Sequence, residues 1–376
     1  MHITWLKLQN FRNHTEREVE WAPHLNVVTG PNGAGKTNLI DAIHYLCMSR
    51  SFVANSDRYV VHEDQSFFIL KGLFHGSIRS EFEVTCSYSK GEGKKVFVND
   101  SPLERLSDLI GRVPVVVLCP EDRKLTSEGP SERRSFIDAF ISQINPPYLQ
   151  DLIDYRKVRR QRNNLLQEFQ YDRSTKEAYL EPWDQQLVDA GARIVAKRNQ
   201  VIKQFQEYLH QQYDMITGLK HRTFLEYQTF CEPSSDPETI RDRYWDKLEE
   251  YREKELEREV TIVGPHRDEI VFYLDDKELR RYGSQGQHRL FALALKLAQL
   301  FYFTDELDDL PIFLLDDVFG DLDPHKIEVL LNALIDHAGQ IFVTSANPIP
   351  FEEYVNFDGE KNRRWQIEEG VLERRD

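Results

Sequence analysis

Residues 30–37 read GPNGAGKT and match the G-x-x-x-x-G-K-[ST] pattern of a phosphate-binding loop. The glycines at 30, 33 and 35 let the backbone curl so that successive N–H groups point at phosphate oxygens. Lys36 would reach the β- and γ-phosphates, and the Thr37 hydroxyl would bind Mg²⁺. The predicted nucleotide contacts also include Gly30, Pro31, Asn32, Gly33, Ala34, Gly35 and Asn38. This stretch therefore predicts a site for ATP or GTP.

A second chemical group stands at 311–317, PIFLLDD, where an apolar strand ends in two carboxylates. Asp316 would hold Mg²⁺ through water, and Asp317 would orient or deprotonate the attacking water. A paired aspartate at a strand end could also simply cap the next loop. Burying two carboxylates after a buried strand is costly without a cation, and this favours the metal site. Lys36, Asp316 and Asp317 are the predicted catalytic residues.

A second anion-binding turn, SQGQ, follows at Ser284, Gln285, Gly286 and Gln287, where a predicted helix begins. One phosphate loop already surrounds one nucleotide, so this turn is explained if it binds the γ-phosphate held by a second molecule. The arrangement resembles the ABC and SMC-type ATPases, because SQGQ is similar to their signature motif. GDLD at 320–323 is similar to their D-loop, which crosses the dimer interface. The resemblance implies a homodimer that forms with ATP.

The predicted elements place these motifs on a split domain. Short strands are predicted at 3–8, 25–29, 113–120 and 340–346, β structure at 66–98 and 260–274, and helices at 38–48 and 325–337. Residues 131–259 are charged and helical, and apolar residues from 187 onward recur at helical spacing. The order predicts an α/β fold, a P-loop ABC/SMC-like ATPase head with an inserted helical lobe. Residues 1–130 and 260–376 would form the ATPase lobe, and 131–259 the insert.

Composition limits the classes of partner. The 376 residues carry a net charge of −15, so any DNA contact must come from a local basic patch and be sensitive to salt. Neither an apolar run long enough to span a membrane nor a signal peptide is visible, so no membrane partner is predicted. The four cysteines stand far apart, which argues against a zinc site or a disulfide framework. We therefore expect a cytoplasmic protein in a reducing compartment.

Several longer strings narrow the resemblance. LKLQNFRNHTE, GPNGAGKTNLIDAIHYL, VVVLCPEDRKLTSEGPSERRSFID, GPHRDE, SQGQHR and LLDDVFGDLD together resemble the bacterial RecF family, from residue 3 to the end of the chain. The strings VVVLCPED, ERRSFID and GPHRDE are not general ABC strings. By this resemblance the residues from Gly30 to Thr37 bind ATP, Ser284 to Gln287 cap the partner's γ-phosphate, and Arg12 reaches the nucleotide.

The RecF resemblance also implies a function. It implies an ATP-gated dimer with a compact helical lobe, slow and DNA-dependent ATP hydrolysis, and binding of single-stranded or gapped DNA. The family helps to load recombinase at gapped DNA during recombinational repair and replication restart, together with RecO and RecR mediator proteins. The cofactors implied are ATP and Mg²⁺.

The sequence departs from the ABC pattern at three places. Asp317 stands where ABC proteins usually have glutamate, and the shorter side chain agrees with slow turnover. Thr344 and Ser345 occupy the region of the usual switch histidine. No glutamine loop is obvious, and Glu121 and Asp122 stand roughly in its place.

Basic residues suggest where DNA could bind. DYRKVRRQRNN at 154–164 contains Arg156, Lys157, Arg159, Arg160 and Arg162, and Arg133 with Arg134 forms a smaller cluster. On a helix, Arg156, Arg159 and Arg160 share a face that could follow a phosphate backbone. A solvated helix whose cations pair with neighbouring acids is an equal alternative. Neither cluster predicts recognition of bases.

Three rival functions remain at the level of sequence. An ATP-binding subunit of an ABC transporter would need a glutamine loop and would not need the charged helical insert. A metabolic P-loop kinase would leave SQGQ and GDLD without a purpose. A nucleotide-gated scaffold that barely hydrolyses ATP is consistent with every motif, because hydrolysis rates cannot be inferred from motifs.

Overall fold

The structure is a computed structural model that describes residues 1–77, 80–168, 173–346, 351–368 and 371–375. Its chain forms two compact units. Unit 1 comprises Met1–Asp122, Asp214–Leu219 and Ala292–Asp376. Unit 2 comprises Arg123–Tyr213 and Lys220–Phe291.

The described residues form fifteen β-strands. In chain order they are β1 His2–Phe11, β2 His14–Glu20, β3 Leu25–Thr29, β4 Phe67–His75, β5 Phe82–Ser89, β6 Gly93–Val98, β7 Ser101–Pro102, β8 Val115–Leu118, β9 Thr223–Gln228, β10 Glu269–Leu274, β11 Lys277–Glu278, β12 Ile312–Asp316, β13 Gln340–Ser345, β14 Asn362–Glu368 and β15 Val371–Arg374.

The described residues form nine α-helices, and all of them except α1 follow residue 122. They are α1 Lys36–Met48, α2 Arg123–Ser127, α3 Pro130–Ile144, α4 Pro146–Glu168, α5 Arg173–Thr217, α6 Pro237–Arg258, α7 Leu279–Tyr282, α8 Gln285–Glu306 and α9 Pro324–His337. No helix among the described residues is long and apolar enough to cross a membrane.

Unit 1 contains two sheets that share one helix. One is antiparallel, in the order β2-β1-β4-β5-β6-β7, and the other runs β15-β14-β3-β13-β12-β8. In the second sheet β14, β3, β13, β12 and β8 are parallel neighbours. Helix α1 contacts strands of both sheets, and its apolar side chains fill the core between them. Strands β12 and β13 are buried along their whole length, which explains their apolar runs.

Unit 2 is mainly helical but includes a small sheet. Strands β11, β10 and β9 are antiparallel neighbours, and β9 lies inside the stretch predicted to be helical. Because β10 pairs with β9, residues 260–291 belong to this unit, whereas the predicted insert ended at 259. The predicted strand at 260–274 is shorter, since Pro265–Arg267 form a 3₁₀ turn before β10. On α5 the predicted apolar spacing is seen in the buried Leu187, Ile194 and Phe205.

Candidate nucleotide site

The phosphate loop connects β3 to α1, as its motif requires. Gly35 immediately precedes α1 with a φ of 104°, and a Cβ atom there would lie 2.8 Å from the Asn13 side chain. At Gly30 a Cβ atom would lie 2.1 Å from the backbone oxygen of Ile367. Glycine is therefore required at both ends of the loop, because other segments of the same chain approach its backbone closely there. The intervening Pro31, Asn32 and Gly33 are exposed.

Lys36 lies within the curl of this loop. Its ammonium donates to the backbone oxygens of Gly30, at 2.8 Å, and Pro31, at 2.9 Å. Burial lowers the pKa of Lys36, and the nearby Asp317 and Asp316 oppose that shift. A phosphate group arriving in the curl would offer the ammonium a charged acceptor in place of the two neutral carbonyls.

Thr37 and Asp316 meet directly although 279 positions separate them. The Thr37 hydroxyl lies 2.8 and 2.9 Å from the two carboxylate oxygens of Asp316. Burial raises the pKa of Asp316, while hydrogen bonds from the Thr344 and Thr37 hydroxyls oppose the shift. A buried carboxylate beside a hydroxyl is an oxygen-only donor pair. It fits Mg²⁺, which uses one or two carboxylates together with substrate phosphates and water.

Asp317 has a different environment from its neighbour. It is exposed and has a φ of 49°, so its backbone leaves the strand conformation. Its N–H donates to the Thr344 carbonyl at 3.1 Å, and its carboxylate accepts from the N–H of Ala346 at 3.1 Å. The left-handed turn thus separates a buried carboxylate from an exposed one.

Thr344 is a site residue whose role the sequence did not reveal. Its hydroxyl donates to Asp316 at 2.6 Å, and its carbonyl holds the backbone of Asp317. The next residue, Ser345, accepts a backbone hydrogen bond from Gly30 at 3.3 Å. The end of β13 therefore links both aspartates to the phosphate loop, at the place where the sequence lacks a switch histidine.

The loop after β1 covers the other side of the phosphate loop. Asn13 accepts a hydrogen bond from the Asn38 side chain at 2.7 Å, and His14 Nε2 lies 3.3 Å from the Gly35 carbonyl. Burial lowers the pKa of His14 to about 4, so this imidazole is neutral near pH 7. Asn13 and His14 belong to the string NFRNH, which also contains Arg12, so their position beside the phosphate loop could have been suspected from the sequence.

Arg12 contacts protein groups in the described residues. Its guanidinium lies 3.4 Å from the Asp41 carboxylate, 3.2 Å from the Ser51 hydroxyl and 3.2 Å from the Tyr59 carbonyl. These bonds attach the loop after β1 to α1 and the segment that follows it. The contact between Arg12 and nucleotide stays a prediction.

The residues in place of a glutamine loop have unequal environments. Asp122 forms an ion pair with Lys296 at 2.8 Å and accepts the N–H of Cys119 at 2.8 Å, so it has a structural role. Glu121 is exposed, and its charge contributes to the raised pKa of Asp316.

The SQGQ turn forms the N-terminus of α8. The Ser284 hydroxyl accepts the N–H of Gln287 at 3.2 Å, and the Gln287 side chain accepts the N–H of Ser284 at 2.8 Å. This reciprocal pair is a capping box. Ser284, Gln285 and Gly286 are exposed, and a Cβ atom at Gly286 would meet nothing closer than 4.0 Å. The fold of one chain therefore does not require glycine at this position.

The GDLD segment leads into α9. Phe319–Asp321 form a 3₁₀ turn, and the Asp323 side chain accepts the N–H of Lys326 at 3.0 Å. Asp323 is thus the N-cap of α9.

The basic clusters separate into exposed and buried cations. Arg156, Lys157 and Arg160 are exposed on α4, and Arg159 is half-buried. Arg162 is fully buried and lies 2.5 Å from both Asp184 and Glu255, so it is not part of the exposed face of α4. Arg133 is buried as well, and its guanidinium is paired with Glu269, as the alternative of cations paired with neighbouring acids describes. Both arginines face inward from their helices and meet acids brought close by the fold.

Comparisons with known proteins assign the family. Residues 2–366 match the family model described as "RecF/RecN/SMC N terminal domain". A Salinibacter ruber protein named "DNA replication and repair protein RecF" is 44% identical over 375 residues, covering 98% of this chain and 91% of that one. A Bacillus subtilis protein of the same name is 35% identical, covering 92% and 94%. The chain belongs to the RecF family.

Solved structures agree with this RecF assignment. The structure described as "the recombination mediator protein RecF-ATP in RecFOR pathway" superposes with a TM-score of 0.90 and 29% identity, covering 100% of this chain and 98% of that one. An SMC head bound to a winged-helix domain of ScpA superposes with a TM-score of 0.55 and 13% identity, covering 100% of this chain and 97% of that one. This similarity supports the fold alone. The predicted α/β ATPase-head fold is confirmed. A transporter subunit, the alternative, is set aside.

Proposed function

We propose that this RecF-family chain is an ATP-gated DNA-binding protein of recombinational repair and replication restart. The contact between Thr37 and Asp316 carries the proposal, since it joins the phosphate loop to the carboxylate strand as a nucleotide-Mg²⁺ site requires. The RecF structure with ATP supports ATP as the nucleotide. The relatives named for DNA replication and repair support DNA as the partner.

In this proposal the phosphate loop, from Gly30 to Asn38, binds ATP. Lys36 moves its hydrogen bonds from loop carbonyls to the β- and γ-phosphates, and the pair Thr37–Asp316 holds Mg²⁺. A bound Mg²⁺ would neutralise phosphate charge that develops during hydrolysis. Asp317, exposed and held by backbone hydrogen bonds, orients the attacking water. Hydrolysis is slow and depends on DNA.

The exposed turn Ser284–Gln287 binds the γ-phosphate of a partner chain, so two chains enclose two nucleotides. Backbone N–H groups at the start of α8 and the Ser284 hydroxyl supply the donors. Within one chain this hydroxyl already accepts the N–H of Gln287, so it keeps its own proton free for donation. The proposed assembly is a homodimer that forms only with ATP, and the exposure of the turn supports it.

The exposed Arg156, Lys157 and Arg160 of α4, together with the half-buried Arg159, contact the DNA backbone. Single-stranded or gapped DNA is the proposed substrate, and mediator proteins of the RecO and RecR type are the proposed partners that help to load recombinase. The RecFOR pathway, named for the solved relative, supports this assignment.

The test is the mass of the protein in solution with and without Mg²⁺-ATP. Asp317→Asn, which retains ATP, should become a dimer only when ATP and Mg²⁺ are present. Adding Ser284→Arg should leave it a monomer that still binds ATP, because the bulky cation blocks the turn and not the phosphate loop. An unfolding measurement on Ser284→Arg controls for the lost helix cap, which costs about 1 kcal/mol. A monomer at saturating ATP would contradict the proposal.

A further inference from the structure

Unit 2 contains a basic pocket that the nucleotide site does not use. It has a volume of about 220 Å³ and lies among α3, α4, α5 and the 3₁₀ turn at Pro265–Arg267. Its lining includes four arginines and two serines: Arg134, Arg156, Arg159, Arg198, Ser131 and Ser135. The strings ERRSFID and GPHRDE both contribute residues to its wall.

Two carboxylates neutralise only part of this charge. Arg198 is buried and lies 2.8 Å from Asp138 and 2.7 Å from Asp268. Asp138 also faces Arg156 at 3.8 Å. Four guanidinium groups therefore share two acids, which leaves two positive charges without a partner carboxylate at the pocket.

His266 adds no charge to this balance. Its Nε2 lies 3.0 Å from the Thr261 carbonyl, so that nitrogen carries the proton, and its Nδ1 accepts from the Tyr155 hydroxyl at 2.7 Å. Burial and the nearby Arg159 lower the pKa of His266 to about 3. The neutral ring therefore adds no positive charge to the pocket and provides no negative charge for the arginines to pair with.

The surplus cations are Arg134 and Arg159. Arg134 donates to the backbone oxygen of Asp268 at 2.6 Å and forms no ion pair with a described residue. Burial and then the charge of Arg198 lower its pKa, although the charges of Asp268, Glu269 and Asp138 oppose that shift. Arg159 is half-buried and forms no hydrogen bond or ion pair with any residue that the structure describes. Like charges gathered at a partly desolvated site repel one another until an anion joins them.

We propose that this pocket binds a phosphate group, supplied by the backbone of DNA. Planar guanidinium groups bind phosphate oxygens in pairs, and the Ser131 and Ser135 hydroxyls on the first turns of α3 are further donors. DNA is favoured over free phosphate because the exposed Lys157 and Arg160 continue the positive surface along α4. The choice of DNA rests on the proposed function, whereas the phosphate site itself does not.

The experiment compares three double variants. The pocket variant is Arg134→Gln/Arg159→Gln, and its conservative counterpart replaces both arginines with lysine. The charge-matched control is Lys203→Ala/Lys220→Ala, two exposed cations of unit 2 that do not line the pocket. Binding of labelled single-stranded and gapped DNA is followed by fluorescence anisotropy across a salt series. Binding of inorganic phosphate is followed by calorimetry, and urea unfolding checks each fold.

Loss of one phosphate contact reduces the magnitude of the negative slope by roughly 0.7 to 0.9, when the logarithm of the DNA-binding constant is plotted against the logarithm of the salt concentration. We expect the pocket variant to show this change and to bind DNA about tenfold more weakly near 0.1 M salt. The lysine variant should bind more tightly than the glutamine variant, and the control should retain the wild-type slope. Calorimetry should show a phosphate site that the pocket variant lacks.

The other outcomes show which claim is wrong: the phosphate site in the pocket, DNA as the source of the phosphate, or the proposed function. If phosphate binding is lost in the pocket variant and DNA binding is unchanged, the pocket takes free phosphate and the DNA source is wrong. If the wild type binds no DNA, the proposed function fails, and the phosphate measurement alone decides the pocket. If the pocket variant matches the control in both assays, the proposal is overturned.

Discussion

Gly286→Asp tests whether the turn before α8 acts on a partner chain. Gly286 is the second residue of α8, and its added Cβ atom would have its nearest neighbour, the Ser284 hydroxyl, at 4.0 Å. A carboxylate in the first turn of a helix is favourable, because the helix dipole is positive there. We therefore expect the free energy of unfolding of the isolated chain to stay unchanged or to rise by about 0.3–1 kcal/mol.

The same substitution should strongly weaken the ATP-dependent dimer. A hydrogen bond to a charged group contributes about 1.5–3 kcal/mol. A symmetric dimer contains two such turns, so losing one bond at each removes about 3–6 kcal/mol. At 1.4 kcal/mol per factor of ten, dimerisation weakens by about 10²- to 10⁴-fold, before repulsion between carboxylate and phosphate is added.

The assay is sedimentation of Gly286→Asp in the Asp317→Asn background, over a range of protein concentrations with Mg²⁺-ATP. The matched control is Gly91→Asp, an exposed glycine whose added Cβ atom would also meet nothing within 4 Å. If Gly286→Asp dimerises as strongly as the background without this substitution, the turn does not act on the partner chain. A loss of unfolding free energy above about 1 kcal/mol would instead contradict the local structure described for this helix start.

Three further predictions concern stability and ligand binding. Arg162→Met should reduce the free energy of unfolding by about 3–5 kcal/mol in urea, because Glu255 is left buried and unpaired; adding Glu255→Met should restore much of it. Gly264→Ala should lower the urea midpoint, since its Cβ atom would lie 2.0 Å from the Tyr244 hydroxyl at a φ of 132°; a midpoint equal to wild type would contradict this packing. Mg²⁺-ATP at 100 times its Kd should stabilise the wild type by about 2.7 kcal/mol in thermal unfolding. Asp316→Asn should still bind ATP in the absence of Mg²⁺, but added Mg²⁺ should no longer increase its stability.

Local chemistry made part of the site predictable. A phosphate loop is a contiguous strand, loop and helix, so its glycines, Lys36 and Thr37 could be assigned before the fold was known. Asp316 was predictable for a similar reason, since an apolar strand delivers its terminal carboxylate to the edge of a parallel sheet. The observed pair Thr37–Asp316 is the geometry that these two local patterns predict together.

Other features depended on packing between distant segments. The sequence marked Thr344 only as standing in the region of the usual switch histidine, because its role depends on lying beside β12 in the parallel sheet. The strand β9 was hidden in a charged, helical stretch, and it is stabilised by pairing with β10 some 40 residues later. Strand pairing of this kind depends on the partner as much as on the segment itself.

The arginines of α4 show where the limit lies. The sequence by itself determined that the helix is rich in cations and that the phosphate loop lies between a strand and a helix of an α/β ATPase head. Only the tertiary structure decided that Arg162 is buried between two acids, that Arg160 is exposed, and that Arg159 lines a pocket. Residue type fixes a charge, but the solvent and the partner that the charge meets are set by segments far away in the chain.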